Sequence, residues 1–76
     1  MPQAERFARA GAELKKLRES KGLSQEAISF DANVHVDQST LSKVERQGPH
    51  MVSWAKLIAI AKALECEIEV NFVPKP

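Results

Sequence analysis

The chain has 76 residues, 43% of them hydrophobic and 28% charged, with a formal net charge of +1 and a single cysteine. That length is about half of a typical 150-residue domain, which excludes a multidomain protein, and the composition lies far from the weakly hydrophobic, strongly charged chains that stay disordered. The near-balance of charge argues neither for a polyanionic partner nor against a local basic patch.

A chain this short buries only about 60% of its unfolded surface, so a staple or a partner is expected. Cys66 alone cannot close an internal disulfide. The first twenty residues lack the apolar stretch of a secretory signal, and the longest uninterrupted apolar run, Leu57 to Ala61, is far below the roughly 20 residues that span a bilayer. A reducing cytoplasm is the expected compartment, with no membrane contact. Basic residues gather toward the N-terminus (Arg6, Arg9, Lys15, Lys16, Arg18 and Lys21), whereas Glu65, Glu67 and Glu69 crowd together late in the chain.

In chain order, Phe7, Ala10, Leu14 and Leu17 recur at steps of three and four, which predicts a first helix over Ala4 to Ser20. Gly22 stops it, because glycine enters the left-handed conformation that closes a helix C-terminus. Ser24 is a good N-cap for a second helix from Gln25 to about Ala32, with Leu23, Ile28 and Ala32 turned inward and Asn33 as its C-terminal residue. Asp37 caps a third helix, Gln38 to Arg46, which carries Leu41 and Val44 on its inner face and ends at Gly48-Pro49. Ser53 opens a fourth, running to Leu64, with Trp54, Leu57, Ile58, Ala61 and Leu64 predicted on one core-facing stripe.

The period then changes from helical to two. Cys66, Ile68, Val70 and Phe72 alternate with Glu65, Glu67, Glu69 and Asn71, which predicts a strand with one buried face, ended by Pro74 and Pro76. No other segment alternates, so this lone strand needs a ladder partner from outside the chain. A second copy in an antiparallel two-stranded ribbon is the simplest, giving a homodimer. The alternatives are a disordered tail or a fifth helical turn. The fold class read from the pattern is therefore all-α with one C-terminal β-strand, organised as residues 1–64 for the helical domain and 65–76 for the dimerisation strand and tail.

The second and third helices are short and close together, which is the spacing of a helix-turn-helix unit, where the second helix enters the DNA major groove. Its outer face offers hydroxyl, amide and ammonium groups suited to base edges and phosphates. The strings Leu14-Lys15-Lys16-Leu17-Arg18, Gly22-Leu23-Ser24-Gln25-Glu26, Gln38-Ser39-Thr40-Leu41-Ser42-Lys43-Val44-Glu45 and Ile60-Ala61-Lys62-Ala63-Leu64 resemble, in this order, the λ-repressor/Cro-like (XRE-type) helix-turn-helix family. The segment Asn33-Val34-His35-Val36 makes the turn longer than is usual there.

The resemblance implies a small λ-repressor-like bundle in which Gln38, Ser39 and Lys43 read base edges. It implies backbone or flanking contacts from Gln25, Thr40, Ser42 and Arg46, and a structural salt bridge between Arg18 and Glu45. Helices followed by a terminal strand resemble, within that family, antitoxins of the HipB type, which repress their own operon and neutralise a toxin. The expected function is a transcriptional repressor bound to a palindromic double-stranded operator as a homodimer, with a toxin as a further partner. Alternatives are a prophage repressor, a restriction-modification controller, or a module that binds protein and not DNA.

His35, His50 and Cys66 lack the paired spacing of zinc ligands, so no metal site is expected. Neither a phosphate-cradling glycine loop nor a nucleophile with base and orienter is present, so neither cofactor nor enzymatic activity is expected. Phe30, beside Ser29 and Asp31, either packs under the long turn or marks a partner surface.

Overall fold

The computed structural model describes residues 3–70 and 72–75. Four α-helices follow one another: α1 (Gln3–Ser20), α2 (Gln25–Ser29), α3 (Gln38–Gln47) and α4 (Trp54–Ala63), with a 3₁₀ turn over Pro49–Met51 between the last two. The core is built from Ile28, Val34, Val36, Leu41, Ile60 and Leu64, with Leu14, Leu17, Leu23, Ala63 and Cys66 packed against it. Each of the three later helices starts as the sequence indicates. Ser24 Oγ accepts from Ala27 N at 3.0 Å, Asp37 Oδ1 from Thr40 N at 2.8 Å and Ser53 Oγ from Lys56 N at 3.3 Å, so one orphan amide of each first turn is satisfied.

Two helices close by the same device with different residues. At the end of α1, Gly22 has φ +69°, Gly22 N donates to Glu19 O and Leu23 N donates to Arg18 O. At the end of α4, Glu65 takes φ 54°, Glu65 N donates to Lys62 O and Cys66 N donates to Ala61 O at 2.9 Å. Both are Schellman closures, the first glycine-based and the second built on a residue that pays a steric cost for its left-handed backbone.

α1 packs chiefly on α3, and Gly11 is the reason the two approach so closely. A Cβ there would collide with the Val44 and Glu45 carbonyl oxygens and stand 3.0 Å from the Glu45 carbonyl carbon. The glycine therefore brings α1 backbone against α3 backbone, which sets the seat of the third helix.

Several expectations need correction. α2 stops at Ser29, with Phe30 as its C-cap, short of Ala32. Ser29 Oγ donates back to Glu26 O at 3.0 Å and Asp31 Oδ1 accepts from Asn33 N at 2.9 Å, local bonds that compete with helix continuation. Ala32 is exposed, and the left-handed residue of the turn is His35 at φ 54°, not Asn33. The long turn is anchored by Val34 and Val36, both buried in the core. Trp54 is 55% exposed. α4 is apolar nearly all round, and it is rolled so that Ile60, Ala61 and Leu64 face inward while Trp54 lies outside.

The helical part of the predicted architecture is present, about 64% helix, and there is no strand among the described residues. Residues 66–70 and 72–75 have no regular secondary structure, while the predicted strand position Asn71 and the stop at Pro76 lie outside the described residues. A single backbone has nothing to form a ladder with, so alternation by itself does not make a strand. Cys66 and Ile68 are half-buried and line the same cleft as Leu14, Leu17 and Leu57.

Candidate nucleic-acid interface

α3 carries the candidate surface. Leu41, Val44 and Glu45 point inward, which leaves Gln38, Ser39, Lys43 and Arg46 exposed and Thr40 and Ser42 half-buried along the flanks. The first turn of α3 is held firmly. Asp37 Oδ1 accepts from Thr40 N and from Ser39 Oγ at 3.2 Å, so the Ser39 hydroxyl proton is engaged within the chain while its oxygen keeps its capacity to accept. The Thr40 side chain and backbone amide, then Ser39 and the nearby Lys43 charge, favour the ionised carboxyl and hold Asp37 below the ordinary aspartate range.

Beneath this surface lies one charged group of contacts. Arg18 Nε donates to Glu45 Oε2 at 2.6 Å and Arg18 Nη2 to Glu45 Oε1 at 3.0 Å, a two-point pair whose side chains are only 9% and 2% exposed. The hydrogen bond to Glu45, and next its charge, outweigh the cost of burial and raise the Arg18 guanidinium above its ordinary value. Arg18 Nη1 also donates to Leu23 O at 2.7 Å, which ties α1 to the start of the helix-turn-helix unit.

Gln25 completes the group. Its Nε2 donates to Glu45 Oε1 at 2.9 Å, so the first residue of α2 is bound to the middle of α3. The carboxamide is thereby oriented, with one N–H used and its second N–H and its oxygen left for other partners. Arg18, Gln25 and Glu45 link three helices through one carboxylate, and no buried side-chain polar atom among the described residues lacks a partner. The role of Gln25 in this group is not apparent from the sequence, because a separation of 20 residues leaves no local pattern.

The remaining polar candidates lie elsewhere. His50 stacks on Phe7 with ring centroids 4.4 Å apart and 31° between planes. His35 is exposed in the long turn and Cys66 is half-buried below α4, and among the described residues no three His, Cys, Asp or Glu side chains gather as a metal site would require. Phe30 is 81% exposed, so it does not pack under the turn.

Two short helices joined by a turn, with the second capped, buried on one side and polar on the other, define a helix-turn-helix DNA-binding protein. The helix-turn-helix family model matches residues 14–71, and the chain belongs to that family, of the λ-repressor/Cro-like (XRE) type. It is a DNA-binding transcription regulator. No curated protein matches the chain closely enough to add a relative. Among the described residues no helix is long and apolar enough to cross a membrane.

Proposed function

We propose that the protein is a sequence-specific repressor that binds a palindromic operator as a homodimer, a binding protein without enzymatic activity. The observation that carries this reading is the outer face of α3, where Gln38, Ser39 and Lys43 stand exposed on a helix whose opposite side is locked by Leu41, Val44 and the Arg18–Glu45 pair. A glutamine offers the donor and acceptor pair that matches an adenine edge, and a lysine donates to guanine acceptors. Gln25, oriented by Glu45, and Arg46 reach the phosphates, while Thr40 and Ser42 supply flanking contacts. Two such helices would sit about 34 Å apart in a dimer.

The dimer reading rests on the C-terminal segment. Val70 and Phe72 are exposed on the single chain, and Cys66, Ile68, Val70 and Phe72 share one parity. A second copy paired antiparallel through residues 65–76 would give this segment the ladder it lacks and join two domains of residues 1–64. A short helical body followed by such a segment, with no fifth helix among the described residues, supports the narrower reading as an antitoxin that represses its own operon and holds a toxin.

The test is a titration of the full chain against the DNA upstream of its own reading frame and against random duplex, over a series of salt concentrations. A repressor binds its own DNA more tightly, with a log affinity that falls linearly with log salt. Equal affinity for both duplexes at every salt concentration overturns the reading and favours a protein-binding module. Truncation before Cys66 is expected to give monomers with steeply weakened operator binding, and a truncated chain that still sediments as a dimer removes the C-terminal segment from the interface.

A further inference from the structure

A large aromatic side chain is left uncovered beside the C-terminal segment. A groove of about 380 Å³ lies between α4 and residues 66–68, lined by Trp54, Ile58, Ala61 and Lys62 on one side and by Cys66, Glu67 and Ile68 on the other. Trp54, the only tryptophan, is 55% exposed at its edge, and Phe72 is 94% exposed further along the tail. We infer that this groove is the receptor for Phe72 of a second copy, which covers Trp54 when two chains pair. The inference rests on the dimer reading above and names the contact that would complete it.

Residues facing each other across an antiparallel ribbon lie on the same side of it, so apolar residues of even number from both chains share one face. A ribbon centred on Val70 sets Ile68 against Phe72 of the second copy and brings its Lys75 beside Glu65 and Glu67. A ribbon centred on Glu69 would place that carboxylate against its own mate, which is unfavourable. With Ile68 already on the wall of the groove, the Val70-centred register delivers the second phenyl ring beside Trp54 and Ile58.

Charge fits a second copy at this end of the tail. Glu67 lines the groove beside Lys62, and the Val70-centred register sets Lys75 of the second copy next to that carboxylate.

Trp54 makes the contact directly observable. On raising the concentration of the full chain through its association range, followed by sedimentation, Trp54 emission should shift to the blue and its quenching by acrylamide should fall. Phe72→Ala should weaken association by about tenfold or more and leave Trp54 quenchable even in concentrated samples, since both residues are exposed in the single chain and the fold does not depend on them. Trp54→Ala should weaken association to a similar extent. A wild-type dimer whose Trp54 emission does not change on dilution, with Phe72→Ala associating normally, overturns this contact and leaves the dimer reading standing. A wild-type chain that stays monomeric at every concentration overturns both. A Trp54 that is covered only on addition of a different protein also refutes the assignment to a second copy.

Discussion

The α1–α3 side of the molecule and the α4–tail side solve the problem of exposed chemistry in opposite ways. On the first, polar groups are satisfied within the chain: Arg18, Gln25 and Glu45 bond one another, Asp37 engages Ser39 and Thr40, and what α3 leaves exposed is polar or charged. On the second, Trp54, Val70, Phe72 and Val73 are each more than half exposed. The first arrangement suits a charged ligand that must meet a rigid surface, and the second suits an apolar partner. The candidate DNA surface and the exposed apolar residues thus lie apart on one small domain, so each side can be broken without the other.

The largest expected effect comes from breaking the charged group of the first side. Glu45→Ala leaves the buried Arg18 guanidinium without its anion and Gln25 without its acceptor, and should cost about 3–5 kcal/mol in a denaturant titration. Because the side chain lies beneath the recognition face, DNA binding should fall together with stability. Glu45→Gln, which keeps the shape and an acceptor oxygen but not the charge, should keep more of both; equal losses in the two variants would show that the charge alone carries the effect.

Gly11→Ala is next. The added methyl meets the Val44 and Glu45 carbonyls, so α1 must move away from α3 at a cost of about 1–3 kcal/mol, which corresponds to a fall in Tm of several degrees or more in a domain of this size. An unchanged Tm would mean that the two helices tolerate separation.

Gln38→Ala and Lys43→Ala sharpen the comparison from the other direction. Both residues are exposed, so each substitution should weaken operator binding by about 1–3 kcal/mol while Tm stays nearly constant. Affinity unaltered by both changes would move the DNA surface away from α3.

The smallest effect concerns Asp37. Its carboxyl is held below its ordinary value in the folded chain, so the stability it contributes is present above the unfolded value and is lost as pH falls through the lower, folded one. Asp37→Asn keeps a capping oxygen but cannot ionise, and should flatten that acid limb of a Tm-against-pH curve while matching the wild type less closely at neutral pH. A limb that is unchanged in Asp37→Asn would assign the acid sensitivity to another carboxylate.

Much of the fold is legible because its signals are local. Ser24, Asp37 and Ser53 each cap the helix they precede, Gly22 closes α1, and the apolar period places Leu41 and Val44 inward. The end of α4 is less legible, since a glutamate performs there what a glycine performs after α1, and no composition rule marks Glu65 as left-handed. Gly11 carried a readable signal, a glycine on the apolar face of a helix where alanine would be more stable, and such a position implies close backbone approach. Trp54 was misplaced because α4 is apolar around most of its circumference, so periodicity offers several equivalent stripes and only packing selects one.

The candidate surface divides along the same line. That α3 is capped, amphipathic and polar outside follows from residues at most a few positions apart, and so did the membership suggested by its motifs. That Gln25 hangs from Glu45, that Arg18 reaches Leu23 O, and that α4 turns Trp54 outward depend on residues brought together from distant parts of the chain. Short-range hydrogen bonds and steric preferences operate between neighbours and are written into the order of residues. Side-chain pairing across 20 or more positions, and the roll of an evenly apolar helix, are settled only when the whole core competes for the same space.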